Sequence, residues 1–218
     1  LDKAKSEFVS IASHQLRTPL TATKGYISLV LEGTYGSINE KFKKPLRNVY
    51  YSNERLIHLV NDLLSLSRIE SGKMTLEKEP TDISEIVKSV IDELKIKAEE
   101  KGLRLILKKS TSAPPQVLLD KEKIRNVVLN LIDNAIRYTK QGSISVKLEI
   151  RNPKSENQKL LISVTDTGEG MTKAEIDKLF ESFSRGKAGA KLSAEGAGLG
   201  LYIARQFVEM HKGRIWAT

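Results

Sequence analysis

Apolar positions recur at steps of three and four along the first thirty residues. Val9, Ala12, Leu16, Leu20, Thr23, Ile27 and Val30 form one largely apolar stripe at the helical period. The stretch EGTYGSINE interrupts it, with Gly33 and Gly36 placed to end one helix and Asn39 to cap the next. Phe42, Leu46, Val49, Asn53, Leu56, Val60 and Leu63 then repeat the same spacing, which fades at Ser71-Gly72. Two long helices with a short connection predict an antiparallel hairpin. Ile57, Leu59, Leu64 and Leu66 widen the apolar face of the second helix beyond what one partner helix covers. Two hairpins pairing into a four-helix bundle would cover it, so a homodimer is expected.

After Gly72 the period changes. MTLEKE reads as a strand, and Asp82 with Glu85 reads as a capping box opening a helix that runs to Gly102. LRLILKK and QVLLD are strand-like, and Asp120 is placed to cap a helix holding LNLIDNAIRYT. SISVKLEIR and KLLISVTD alternate on either side of the polar NPKSENQ and predict a β-hairpin. A Gly-rich loop, a helix from about Leu199 to His211 and the start of a strand at GRIWAT follow. The expected architecture has two domains, an all-α helical hairpin over 1–72 and an α+β sandwich over 73–218, with one sheet carrying helices on a face.

Composition narrows the reading. The 218 residues contain no Cys, which excludes disulfides and thiolate metal sites and suits a reducing, cytoplasmic setting. No apolar run approaches the roughly 20 residues that span a bilayer, so no membrane contact is expected from this segment, and LDKAKSEF lacks the apolar core of a secretion signal. The formal charge of +9 is spread among acidic residues, as in KSVIDELKIKAEEKG, without a long basic run, so no nucleic-acid partner is expected.

Four groups of residues carry candidate chemistry. In SHQLRTPL, His14 lies about 160° from the apolar stripe at 100° per residue and so faces solvent, with Thr18 one turn along and Pro19 beside it. An accessible neutral imidazole with a nearby hydroxyl suits nucleophilic attack on phosphorus. His58 also points outward without such company and reads as a surface residue, while His211 reads as a helix-end imidazole meeting the dipole. In LNLIDNAIRYT, Asn130, Asn134 and Arg137 share a helix face, followed by Tyr138. Amide oxygens can hold a hard cation, Arg can neutralise phosphate and Tyr can stack on a base. Asp166-Thr167-Gly168-Glu169-Gly170-Met171 stands at a strand end, either as a tight turn or as a loop whose Asp accepts from an amine and whose glycines admit a flat ligand. Gly196, Gly198 and Gly200 open a helix whose free N–H groups suit polyphosphate.

In this order the four groups resemble a bacterial two-component sensor histidine kinase over essentially the whole chain. SHQLRTPL is similar to the phospho-acceptor motif of its dimerisation domain, and LNLIDNAIRYT, DTGEGM, FESFSR and GAGLGLYIA are similar to the ATP-site motifs of a GHKL-type catalytic domain. The resemblance implies that His14 accepts the γ-phosphoryl group of ATP and passes it to an Asp of a response regulator. It implies Mg²⁺ on Asn134, with Asn130 nearby, Arg137 at phosphate, Tyr138 in the adenine pocket and Asp166 on the adenine amine. Gly168 and Gly170 would shape that pocket, Phe180 and Phe183 anchor a lid, Arg185 reach the γ-phosphate, and Gly196, Gly198 and Gly200 form the hinge and phosphate cradle. Thr18 matches the position that helps dephosphorylate the regulator. Two features depart from the family. Gln15 stands where an acidic residue usually serves as base; an amide takes up no proton but can orient the ring. The family also continues past GRIWAT with a Gly-rich turn and a closing strand. Two other readings remain open at this point: an ATP-driven clamp of the gyrase kind and an inactive dimerisation scaffold.

Overall fold

The computed structural model describes residues 2–108, 116–151, 159–183 and 198–218. The chain divides into two compact units, one holding Leu1–Met74 and the other Thr75–Gly186 with Ala204–Thr218, while residues 198–203 group with the first.

The first unit is a hairpin of α1 (Asp2–Leu31) and α2 (Glu40–Glu70). α1 ends in a glycine cap: Gly33, at φ 83°, donates to Val30 O and Thr34 donates to Leu29 O. Asn39 caps α2 by accepting from the Lys41 N–H at 3.1 Å. Polar bonds set how the two helices pair. Asn53, only 5% exposed on an otherwise apolar stripe, donates to the Leu20 carbonyl at 2.6 Å. Arg17 donates through Nε and Nη2 to Asn61 Oδ1, and Lys24 pairs with Glu54 at 2.5 Å.

The apolar stripe of α2 divides in a way its period did not foretell. Val60 and Leu64 are buried, but Phe42, Val49 and Leu56, spaced by seven, stay 52%, 51% and 49% exposed. Leu16 of α1 is likewise 53% exposed. One partner helix covers only one side of a stripe this wide.

Burial opposes ionisation of Asp62 on α2 and pushes its carboxyl up to about 6. An acid with a folded pKa above its unfolded value binds more protons when folded across that interval, so stability falls as pH rises from about 4 to 6. The Asp62→Asn variant is therefore expected to be more stable than wild type at pH 7, by about 1–3 kcal/mol. The advantage should vanish towards pH 4. Thermal melting of both proteins at pH 7 and pH 4 checks this, and an equal gain at both would contradict it.

The second unit contains β1 (Glu79–Thr81), α3 (Ile83–Glu100), β2 (Arg104–Lys108), β3 (Val117–Leu119) and α4 (Lys121–Tyr138). β4 (Ser143–Arg151), β5 (Lys159–Asp166) and the short α5 (Lys173–Lys178) follow. The last helix, α6, is Gly200–Met210. The described strands form two sheets rather than the single sheet expected: β1 pairs antiparallel with β3, and the second sheet has the order β2-β4-β5. β2 runs parallel to β4, while β4 and β5 form the predicted hairpin, with Ile144 opposite Asp166 and Arg151 opposite Lys159.

Alternating burial along β4 turns Ile144, Val146 and Leu148 inward, onto Ile83, Val87 and Val90 of α3 and Val128, Ile132 and Ile136 of α4. Each buried aliphatic side chain of this kind contributes roughly 1.5–3 kcal/mol. Ion pairs Arg125–Glu93 and Lys97–Asp133 cross from α4 to α3, and Lys101 Nζ donates to the carbonyls of Ile136 and Arg137 at the end of α4.

Two strand expectations fail. Of MTLEKE only Glu79 is in a strand: the Met74 N–H donates to Arg68 O, and the Glu77 N–H donates to the Asp120 carboxylate instead of to a neighbouring strand. GRIWAT joins no ladder among the described residues. α5 was not foreseen, although its capping box, Thr172 with Glu175, was present in the sequence.

Candidate functional site

His14 sits on the exposed face of α1, and Ser13 beside it is buried at 4%. The phase of the helix thus orients the imidazole outward, as the sequence implied. Thr18 and Gln15 are also exposed, and neither bonds to the imidazole among the described residues. Successive helical side chains diverge by about 100°, which keeps Gln15 off the face of His14. Pro19 lies within an unbroken helix, with Thr23 Oγ1 donating to its carbonyl at 2.8 Å. The next turn is tied to α2 by the Asn53 bond, and the preceding one by Arg17. α1 is therefore tied to α2 on both sides of the residue that lacks a backbone donor.

In the second unit α4 supplies a graded face. Asp120 caps its start, accepting from the Lys123 N–H at 3.1 Å and the Lys123 ammonium at 2.6 Å. Burial opposes the ionised form of Asp120, but Lys123 and the Glu77 N–H outweigh it and hold the carboxyl below the usual carboxylate range. Farther along, Asn130 donates to the Asn126 carbonyl and side chain at 3.0 and 2.8 Å, which directs its own amide oxygen elsewhere. Asn134 is half-buried. Arg137 bonds to Asp133 at 3.3 Å, and Asp133 is shared with Lys97. Tyr138 closes the helix at 38% exposure.

The end of α4 and the loop after β5 meet. A Cβ on Gly168 would lie 2.7 Å from Asp166 Oδ1 and 2.9 Å from the Tyr138 carbonyl, so Tyr138, Asp166 and Gly168 form one close group. Asp166 Oδ1 accepts the Gly168 N–H at 2.8 Å. Thr167, which the sequence did not single out, locks this loop to the turn after α4. Its Oγ1 donates to Gln141 O and accepts from the Ser143 N–H, both at 3.1 Å. Gly142 makes that contact possible, because a Cβ there would lie 2.2 Å from Thr167 Oγ1. Lys140 pairs with Glu169 across the same junction. Gly170, at φ 70°, faces open space and is required for its backbone conformation alone.

Phe180 is half-buried, and Phe183 is 61% exposed at φ 58°. Gly198, at φ 70°, and Gly200 precede and open α6, with Leu199 buried between them. Arg185 and Gly196 lie outside the described residues. Among the described residues no group of three or more His, Cys, Asp or Glu is placed to hold a metal. No helix among them is long and apolar enough to cross a membrane.

Residues 4–72 match the His Kinase A (phospho-acceptor) domain, and residues 119–218 match the histidine kinase-, DNA gyrase B-, and HSP90-like ATPase family. The sensor histidine kinase WalK of Bacillus subtilis is 33% identical over 220 residues, covering 100% of this chain and 35% of that protein. Full-length ShkA, solved in complex with AMPPNP, is similar with a TM-score of 0.68 at 27% identity, over 94% of this chain and 41% of that one. The Acinetobacter baumannii histidine kinase AdeS gives a TM-score of 0.61 at 28% identity, over 94% of this chain and 90% of that one. The chain spans between 23% and 35% of the length of the curated relatives it matches. An outward histidine on a helical hairpin, followed by an ATPase-type sandwich and matched by both domain models in that order, makes this chain a member of the sensor histidine kinase family, comprising its phospho-acceptor and ATP-binding core.

Proposed function

We propose that the chain phosphorylates its own His14 from ATP and passes the phosphoryl group to an aspartate of a response-regulator receiver domain. The carrying observation is the solvent-facing His14 on the same chain as the Tyr138–Asp166–Gly168 group at the end of an asparagine-bearing helix. In the reaction a nitrogen of His14 forms a bond to the γ-phosphorus as the bond to the bridging oxygen of ADP breaks, and the phosphoryl group later moves to the regulator's carboxylate.

Residues 1–72 act as the dimerisation and acceptor domain and residues 73–218 as the ATP-binding domain. Asp166 accepts from the adenine amine while its other oxygen is steadied by the Gly168 N–H, and Tyr138 lines the base. Arg137 exchanges Asp133 for phosphate. Phe180 and Phe183 anchor the lid, Arg185 reaches the γ-phosphate, and the segment from Gly196 to Gly200 cradles the phosphates. That ShkA was solved with an ATP analogue supports a nucleotide at this site. The donor set suits Mg²⁺ held chiefly by phosphate oxygens: it offers the amide oxygen of Asn134, with Asn130 nearby, and no carboxylate cage among the described residues. Bound there, Mg²⁺ would offset the charge of the phosphate oxygens.

Gln15, an amide, takes up no proton and so does not serve as a base, and Thr18 positions water for dephosphorylation of the regulator. The exposed row Phe42, Val49 and Leu56 supports a homodimer in which two hairpins form a four-helix bundle.

Incubation with γ-labelled ATP tests the reading. Acid-labile, base-stable label on the protein is the expected result. Free phosphate without protein label would indicate an ATP-driven clamp instead, and the absence of both would indicate a scaffold.

A further inference from the structure

The helix that carries Asn130, Asn134, Arg137 and Tyr138 is capped from far along the chain. At its start the capping box is half complete: Asp120 accepts the Lys123 N–H, but the third helical position, where a Glu or Gln would return a bond to the cap's own N–H, is occupied by Lys123. His211 supplies the missing half. Its Nε2 accepts the Asp120 N–H at 2.9 Å, across 91 residues of sequence. Its Nδ1 lies 2.7 Å from the Phe207 carbonyl, one turn earlier on α6, and donates there. Both bonds are satisfied by one species, a neutral ring with its proton on Nδ1.

The end of α6 is built to hold that ring in place. Lys212 adopts φ 60°, a conformation a lysine rarely takes, and the Lys212 and Gly213 N–H groups fold back onto Glu209 O and Val208 O. A Cβ on Gly213 would lie 3.0 Å from Val208 Cγ1 and 3.2 Å from its carbonyl, so a side chain there would crowd this turn. Asp120 is clamped as firmly, since its carboxylate also accepts from Glu77 and Lys123.

We propose that His211 is a positioning residue for nucleotide binding, a latch that fixes the asparagine-bearing α4 relative to the helix that follows the Gly-rich segment. The inference rests on the reading of α4 as the nucleotide helix. Because the latch touches no reacting atom, its loss should raise the ATP concentration needed for half-maximal labelling and leave the rate at saturation unchanged.

The test compares wild type, His211→Ala and His211→Gln by ATP titration calorimetry, by the KM and maximal rate of labelling, and by ¹⁵N spectra of the histidine rings. One such hydrogen bond corresponds to about a fivefold change in an equilibrium constant, so H211A should bind ATP more weakly, by at most about fivefold. Gln retains an acceptor for the Asp120 N–H, so H211Q should recover most of the loss. The wild-type ring should show its proton on Nδ1, and the Asp120 amide should exchange faster in H211A. If H211A does not fold, H211Q and the ring spectrum decide. Equal ATP affinity in all three proteins, or a proton on Nε2, would overturn the latch. A wild type that binds no ATP would overturn the nucleotide reading of α4 together with the proposal, a result distinguishable from wild type and variants binding alike.

Discussion

Replacing His14 by alanine should abolish acid-labile, base-stable labelling while the protein folds and binds ATP as before. The two parts of this expectation have separate origins. His14 is exposed and bonds to no described residue, so its truncation should change stability by no more than about 0.5 kcal/mol. The label should fall to background, because neither of the other histidines can substitute. The His211 ring is committed to Asp120 and Phe207, and His58, exposed on α2, lacks the adjoining Thr18 and Pro19 that accompany His14. Labelling of wild type and H14A, with ATP binding measured in parallel, decides the matter. Residual label in H14A with the same acid lability would mean that another residue is the acceptor.

The second large effect is expected at Gly168. Its conformation is not the constraint; the space around it is. An added methyl would press on the Asp166 carboxylate at 2.7 Å and on the Tyr138 carbonyl at 2.9 Å, and backbone cannot yield as a flexible side chain can. Relief requires the loop to withdraw from the end of α4, which also breaks the Gly168 N–H bond that orients Asp166. Overpacking of this kind costs roughly 1–3 kcal/mol, and the lost hydrogen bond adds about 1 kcal/mol, so ATP affinity in Gly168→Ala should fall by about 100-fold. Gly170→Ala provides the contrast. Open space surrounds Gly170, leaving only the strain of a positive φ, and affinity should fall no more than about tenfold. Calorimetric titration of both variants reads the difference, and a G168A protein that binds like wild type would refute the proposed adenine pocket.

Gln15 illustrates how a motif and its geometry divide the explanation. The sequence identifies the departure from an acidic residue. The structure adds that the side chain is exposed and forms no bond to the His14 ring among the described residues. The turns on either side of Pro19 are tied to α2 through Arg17 with Asn61 and Asn53 with the Leu20 carbonyl.

Much of the fold was legible because it depends on local signals. Both hairpin helices, the caps at Asn39, Asp82 and Asp120, and the paired strands β4 and β5 follow from periodicity and from short-range side-chain-to-backbone bonds. The missed strand at MTLEKE shows the limit of such reasoning. Alternation there was real, but its backbone N–H groups went to Arg68 and Asp120, partners that no local pattern announces. The same holds for the division of the α2 stripe, where period alone cannot say which half of a wide apolar face is covered.

Sequence by itself determined the long helices and the β4–β5 hairpin, the outward phase of His14 and the order of motifs that marks the family, because helical phase, capping and motif spacing are properties of neighbouring residues. Only the tertiary structure decided that Gly142 and Thr167 lock the loop of Asp166 to the end of α4, and that His211, legible as an ordinary helix-end imidazole, caps the start of that helix. These contacts join residues 25 and 91 positions apart, and a close approach or a hydrogen bond over that distance comes into being only when the chain has packed.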